Sequence, residues 1–419
     1  MAWAAMLLLG SASGLTFAQI VAAPGSGAQV IQTQNGLNQV NIARPSGSGV
    51  SVNNFSQFDV PAKGAILNNS PVNIQSQLAG YISGNGNLTP GNSAKIIVNQ
   101  VMSNAPSQLH GYLEVAGPKA EVVVANPNGL VIDGAGFINT SRVVLTTGTP
   151  NYGPNGSLAG FNVTGGNITV QGAGLNATNI DQVDLLARAI QINAAVYANN
   201  LNAIAGSNQV DHDTLAATPI AGNGTAPAVA IDVSALGGMY ANRIFLTSNE
   251  YGVGVSTKGV LAAQAGDLTL QSNGQLVLAG TTNASGSINA SARDGISNSG
   301  TTYAQGNVIA TTSNATFNSG DNSGSQDAST PVGVSGSPMD VPRGTNAPAT
   351  IGGVDYSAHA IDQMQGRGVP PSVVKNTIDN GVNYPTRPGT TGYYDPVNNV
   401  RVVTNSKTGL VVTVIPGAP

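Results

Sequence analysis

The sequence predicts a mainly β chain: a right-handed parallel β-helix, then a linker and a small α+β C-terminal domain. Three observations predict it. From Gln29 to Phe317 short runs of apolar and β-branched residues alternate with turn formers. Glycines recur at a fixed interval of 20 residues in Gly266-Asp267-Leu268, Gly286-Ser287-Ile288 and Gly306-Asn307-Val308 (286 − 266, 306 − 286). Beyond Phe317 this pattern stops, and from Asp355 apolar residues take helical spacing.

Composition limits the alternatives. Of 419 residues only 8% are charged and 5% aromatic, while Gly numbers 54. That excludes a globular core built on large aromatics and suits stacked short strands with Val, Ile, Leu and Ala inside and Gly, Asn, Ser and Thr at corners. A hydrophobic share of 41%, set out with strand periodicity, excludes a disordered low-complexity chain. A formal charge of −4 and a pI near 5.2 give no overall footprint for nucleic acid or membrane. With no Cys, and with His110 and His212 isolated from carboxylate clusters, no metal site and no cofactor site is indicated.

In chain order, residues 1–18 read as a signal peptide. An apolar run from Trp3 to Leu9 leads to small residues and to Thr16-Phe17-Ala18, a cleavage site before Gln19. The run is too short to stay as a membrane anchor, and it is atypical in having no Lys or Arg before it.

From Gln29 to Gly148 the chain reads as strands of four to six residues, among them Val50-Ser51-Val52 leading into Asn53 to Val60. Asn68-Asn69-Ser70 and Asn85-Gly86-Asn87-Leu88 are turns. The stretch Ser107 to Gly148 is the densest, with Glu121-Val122-Val123-Val124 and Arg142-Val143-Val144-Leu145 on either side of the Asn126-Pro127-Asn128-Gly129 turn. Pro fixes φ there, and Asn and Gly accept φ > 0. A polar interruption runs from Val210 to Gly222. A second glycine series, Gly280-Thr281-Thr282 and Gly300-Thr301-Thr302, shares the interval of 20 residues (300 − 280) out of phase with the first. Most of these Asn and Val need no role beyond corner and core.

The stretch from Ser107 to Gly148 resembles the secretion domain of two-partner-secreted exoproteins, the filamentous haemagglutinin family. The resemblance is carried by Ser107-Gln108-Leu109-His110-Gly111, Glu114-Val115-Ala116-Gly117, Ala125 to Leu130, Gly134 to Asn139 and Leu145-Thr146-Thr147-Gly148. Two departures stand beside it: Gly86 where members carry Pro, and Asn99-Gln100-Val101 in place of Asn-Glu-Val. It implies a secretion domain over 19–222 and a short β-helical shaft over 223–317. It also implies a secretion motif at Asn126, Pro127, Asn128 and Gly129, a dedicated outer-membrane pore protein as partner, and release by way of the periplasm to the cell surface or medium. Absence of Cys suits passage of an unfolded chain through a pore. Coils that contact only their neighbours can fold as they emerge, and the apolar area each buries opposes sliding back.

Residues 318–349, dense in Ser, Gly, Pro and Asn, read as a flexible linker. In 350–419 a helix capped by Asp355 or Ser357 carries Ile361 and Met364 and ends at Gly366 and Gly368. A second follows Pro370-Pro371 with Val373, Val374, Thr377 and Ile378 on one face and stops at Gly381. Three strands, Thr391 to Tyr394, Val400 to Thr404 and Leu410 to Ile415, are joined by hairpin loops. This helix-then-sheet order, with His359-Ala360 to Met364, Arg367-Gly368-Val369 and Thr408-Gly409-Leu410-Val411-Val412-Thr413-Val414, resembles the small toxin ribonucleases grouped with barnase, EndoU, the colicin nucleases and RelE.

Cleaving RNA without a metal needs an acid, a base and a cation for the phosphate. His359, the sole histidine of the module, is the acid–base candidate. Arg367, Arg387 and Lys407 are candidates to hold phosphate, and Tyr394 and Thr404 to donate hydrogen bonds. For His359 the plain alternative is a packed helix-face residue, and for each cation a solvated charge. Two readings of the whole follow. One is a secreted toxin carrier for contact-dependent inhibition, with RNA as substrate, an immunity protein as second partner and a target-cell surface as destination. The other is an adhesin whose tail is a cap or relic.

Overall fold

The computed structural model describes residues 19–312, 318–319, 344, 346–351, 353–367, 369 and 371–419. The predicted signal peptide and most of the predicted linker lie outside them. The chain divides into two compact units, 1–317 and 318–419.

The first unit is a parallel β-helix. Three strands make each coil: Leu268–Ser272, Leu276–Leu278 and Thr281–Ala284 lie between Arg243–Ser248, Gly254–Thr257 and Val260–Ala263 on one side and Ile288–Ala292, Ile296–Asn298 and Thr301–Ala304 on the other. Leu268, Ile288 and Val308 stack in one register, as the glycine period requires. Along the strands Leu268 and Leu270, Ile288 and Ala290 alternate inward, so successive coils share one continuous apolar core.

The glycine series mark places where coils meet most closely. A Cβ on Gly280 would stand 2.0 Å from the Gly259 carbonyl oxygen, and one on Gly300 the same distance from that of Gly280. Gly259 stands in the same relation to Gly237, at 2.1 Å. Backbone passes directly over backbone at this corner, and only a residue without a side chain fits.

Two features depart from a uniform parallel coil. At the start of the helix the pairing is antiparallel: Ile20–Ala22 lies along Val50–Phe58, and Gln29–Gln32 along Asn38–Asn41. An end coil has no neighbour below it, and these segments cover strand edges that would otherwise be bare. The segment read as a polar interruption at Val210 to Gly222 belongs to a second, four-stranded antiparallel sheet. That sheet holds Thr149–Tyr152, Leu158–Val163, Asn208–Asp211 and Ala217–Pro219. It lies on the outer face of the β-helix, where Phe161, Val163 and Val210 pack on Val98, Val123, Val144 and Leu186. The consecutive valines now have a reason. Val122, Val124 and Val143 face the main core while Val123 and Val144 face the second one. These strands are buried on both sides.

The second unit is α+β. Helix α1 (Ala358–Arg367) and helix α2 (Pro371–Asn380) pack on a six-stranded sheet ordered Ala349–Ile351, Val354–Tyr356, Val411–Pro416, Val400–Asn405, Thr390–Asp395, Val382–Tyr384. Ser357, not Asp355, caps α1: its Oγ accepts the Ala360 N–H at 3.1 Å. Asp355 instead accepts a hydrogen bond from Thr350 at 2.6 Å. The three predicted strands are present and three short ones join them, each too brief to show periodicity in sequence. Ile361, Met364, Val374, Val402 and Val414 form a core separate from that of the β-helix.

Gly280→Ala is expected to destabilise the β-helix by about 1–3 kcal/mol, the range for overpacking. Thr301→Ala, at an exposed site nearby, should cost less than half of that. Unfolding curves for the two variants check the difference; equal midpoints would refute the close approach of coils.

Candidate functional site

The Asn126-Pro127-Asn128-Gly129 turn, expected from the sequence to be the secretion motif, is built by an asparagine that bonds in three directions. The Asn126 side chain donates to the Ala105 carbonyl at 2.9 Å and the Ser107 hydroxyl at 3.0 Å, and its oxygen accepts the Asn128 N–H at 3.0 Å. The Gly129 N–H closes the turn on the Asn126 carbonyl at 3.0 Å, with Gly129 at φ +118°. Asn128 reaches the Ser103 carbonyl at 2.6 Å. Asn126 is fully buried, so these bonds stitch its coil to the preceding one.

The turn at Asn85 repeats this construction. Asn85 donates to the Ile42 and Asn68 carbonyls at 2.9 Å each and accepts the Asn87 N–H at 2.9 Å, and the Leu88 N–H closes on the Asn85 carbonyl at 3.1 Å. Gly86 is not at positive φ, and a Cβ there would meet nothing within 4 Å, so this corner does not require a glycine. The departure from the family pattern therefore leaves the bonding of this turn intact.

Glu114, from the Glu114-Val115-Ala116-Gly117 segment, is buried. Its carboxylate accepts the Ser76 hydroxyl at 2.6 Å and the N–H groups of Gln77 and Leu78 at 2.7 and 3.0 Å. It holds the hairpin of Ile74–Ser76 and Gly80–Ile82 against the β-helix.

A buried ionic cluster fastens the four-stranded sheet. Arg142 Nε donates to Asp184 at 2.6 Å and its Nη2 to the His212 carbonyl at 2.8 Å. The His212 ring sits between Glu121 at 2.8 Å and Asp213 at 2.7 Å. Burial pulls the His212 pKa down, but the bond and charge of Glu121, helped by Asp213, outweigh burial and the nearby Arg142, and the net shift is upward. Sequence reading left His212 as an isolated histidine, because its partner Glu121 lies 91 residues away. No local signal marks such a pair.

In the α+β unit the six candidates do not converge on one point. His359 is exposed on the first turn of α1. Lys407, in the Asn405 to Gly409 hairpin, and Arg387 lie on adjacent exposed loops, joined by the Ser406 N–H on the Gly389 carbonyl at 3.0 Å. The first turn of α1 lies at this same end of the sheet, since the Ser357 N–H meets the Val411 carbonyl and Val411 pairs with Thr404. Thr404 is buried on the face shared with Val402, beneath the helices. Tyr394 pairs with Arg401 on the opposite face and donates to Asn399 at 3.0 Å. Arg367 is half-buried and donates to the Val414 carbonyl. Burial and the charge of Arg401 both lower its pKa. Arg401, which sequence reading passed over, has a buried Nε without a hydrogen-bond partner among the described residues. Neither arginine has an ion pair there. Two like charges in reach of each other are relieved by an anion.

The model of the TPS secretion domain family matches residues 18–278. The chain belongs to the two-partner secretion family. Its members are exported exoproteins, secreted or held at the cell surface. The solved filamentous hemagglutinin secretion domain superposes with a TM-score of 0.64 at 34% identity, covering 70% of this chain and 99% of that one. Among relatives, the tRNA nuclease CdiA-2 of Burkholderia pseudomallei is 64% identical over 267 residues, 64% of this chain and 9% of that protein. The Toxin CdiA of Yersinia pestis is 45% identical over 300 residues, 70% and 9% of the two chains. The 16S rRNA endonuclease CdiA of Enterobacter cloacae is 47% identical over 272 residues, 65% and 8%. The matched region thus spans under a tenth of these relatives, and it lies in the secretion domain rather than the α+β unit.

Replacing Asn126 and Asn128 together by Ala strands the Ala105 carbonyl and should cost about 1–3 kcal/mol for the buried group. Export is expected to fall, with the chain held in the periplasm; fractionation that finds wild-type amounts outside the cell would sink the assignment of this turn. A second expectation concerns pH. His212 has a raised folded-state pKa, so its stabilisation is complete below its unfolded value of about 6.5 and is lost as pH rises through the folded value. The stability gap between wild type and His212→Gln should therefore be wider at pH 5.5 than at pH 9, and a gap that does not change with pH would contradict it.

Proposed function

We propose that this protein is an exoprotein of contact-dependent inhibition. In this reading the β-helix exports and presents the chain, and the α+β unit is the toxin, a metal-independent ribonuclease. The observation that carries the reading is the change of architecture. A solenoid that could have continued coil by coil gives way to a unit with its own helices, sheet and core. An adhesin shaft has no need of such a unit. Relatives whose secretion region matches this one bear the names tRNA nuclease and 16S rRNA endonuclease, which supports an RNA-cleaving cargo. The partners that follow are an outer-membrane pore for the secretion domain, an immunity protein for the toxin, RNA as substrate and a target-cell surface.

The chemistry assigned to the module uses groups at accessible positions. His359 takes the proton of the attacking 2′-hydroxyl or returns one to the departing 5′-oxygen, and its exposure on α1 leaves it open to substrate. Lys407 and Arg387, at the same end of the sheet, attract the RNA backbone. Arg367 and Arg401 supply positive charge with no carboxylate bonded to either among the described residues, and Tyr394 adds a hydroxyl beside Arg401. Thr404, under the helices, supports the sheet in this scheme and does not touch RNA.

The test is induction of residues 344–419 inside bacteria. The segment starts at Gly344 because the N–H groups of Gly344 and Asn346 bond to Asp362 on α1 at 2.8 and 3.0 Å. Growth should stop with cleaved RNA on gels. His359→Ala should slow cleavage about 100- to 10,000-fold, the usual contribution of general acid–base catalysis, with the circular dichroism spectrum unchanged. A folded, soluble segment that leaves growth and RNA intact would favour the adhesin.

A further inference from the structure

Where the four-stranded sheet ends, its Asp211 to Ala217 turn overhangs the outer face of the β-helix and leaves a groove of about 540 Å³. The volume falls in the range of about 300–1,000 Å³ typical of small-molecule sites. Its floor is made by side chains standing on successive coils. Asn202 pairs with Phe245, and Thr247 with Gln271, on the outward side of strands whose other side is the core. Its wall is the turn from Thr214 to Ala217. Leu215 there is held at φ +58°, a conformation a leucine seldom takes, which fixes the overhang.

The floor offers an unusual mixture of groups. Arg243 is exposed and has no hydrogen bond or ion pair among the described residues. The Gln271 side chain is likewise without one. Gln182 and Asn202 each donate to Asp184 from the side-chain amide, at 3.0 and 2.7 Å, which points their oxygens away as acceptors. Asn249 accepts from Thr247 at 2.9 Å, which leaves its amide N–H groups as donors. Phe245 lies among them, partly buried.

We infer that this groove binds an acidic oligosaccharide. Sugar hydroxyls both donate and accept, and the amides of Gln182, Asn202, Asn249 and Gln271 supply both kinds of partner. The apolar C–H face of a pyranose ring matches the one aromatic surface, Phe245. The Arg243 guanidinium takes the sugar's carboxylate in a two-point contact. The Asp213 carboxylate at the rim is engaged by His212 at 2.7 Å, which limits its repulsion of an acid. An extended peptide fits less well. The edge strand of the four-stranded sheet beside the groove, Ala217–Pro219, is three residues long and ends in a proline, so it could give an added strand very few backbone bonds.

Titration calorimetry on the full 419-residue chain tests this, with a hexamer of galacturonic acid as probe, maltohexaose as neutral sugar and hexaglutamate as acidic peptide. The uronate hexamer should bind saturably, and the other two at least 10-fold more weakly. Arg243→Ala and Gln271→Ala, both at exposed sites, should each weaken the uronate hexamer about 10-fold. Phe245→Leu, which keeps apolar bulk but removes the ring face, should do the same while the chain stays folded by circular dichroism. Failure of the uronate hexamer to bind, indifference to all three variants, or equal binding of hexaglutamate would overturn the proposal. Equal binding of maltohexaose that survives Arg243→Ala would overturn its acidic character.

Discussion

Every coil of the β-helix must lie one hydrogen-bonded strand spacing from the next, about 4.8 Å. That spacing decides which residues can occupy which positions. At the corner where Gly237, Gly259, Gly280 and Gly300 follow one another, the carbonyl of one coil points into the space a Cβ of the next would need. On the straight faces the same spacing stacks like on like, Leu268 over Ile288 over Val308, and the apolar core runs on from coil to coil. The polar corners obey it too. Asn126 and Asn85 are long enough to cross to a neighbouring coil and short enough to cap their own turn, so one residue satisfies both sets of backbone groups.

The coils before residue 223 carry an outer layer that the later coils lack among the described residues. Its outer face carries Val98, Val123, Val144 and Leu186, which would be a long exposed apolar stripe without the four-stranded sheet. Hydrophobic burial brings that sheet down but does not define its position along the stripe. The ionic cluster does. Arg142, Asp184, Glu121 and His212 are nearly or wholly buried, and a misplaced sheet would leave charges in an apolar setting without partners. Arg188 does similar work further along, gripping Glu250 with two bonds and reaching the Asn223 carbonyl.

Much of this was legible in the residues, and what was not has a common cause. Strand periodicity, the glycine interval and the Asn-Pro-Asn-Gly turn are local, and all three appear in the structure where the sequence implies them. Consecutive valines at 122–124 read equally well as one buried strand of any architecture, and only the partner layer explains why both sides are apolar. That layer is made of segments near 150–163 and 208–219, whose pairing leaves no trace in either segment alone. The same holds for the α+β unit. Its helices and main hairpins were apparent from caps, spacing and turn residues. That Tyr394 and Thr404 would face opposite ways depended on strand register, and that Arg401 would stand beside Tyr394 depended on the same register.

The range of these contacts also bears on export. In the later coils each turn bonds to one about 20 residues away, as Ser287 does to Asp267 and Asn307 to Ser287. Such contacts close almost as soon as the chain is available, and the loop entropy is small. The secretion domain closes far longer loops: Ser46 to Gly156 spans 110 residues and Glu121 to His212 spans 91. Its outer layer cannot be completed until the chain is free past residue 212. A chain entering a pore from its N-terminal side would therefore show the transporter the turns at Asn85 and Asn126 before the cluster around His212 could lock. Once that cluster closes, the later coils have a finished coil to build on, and each further turn adds buried apolar area. Long-range contacts first and short-range ones after give the fold an order of assembly that matches a one-way route out of the cell.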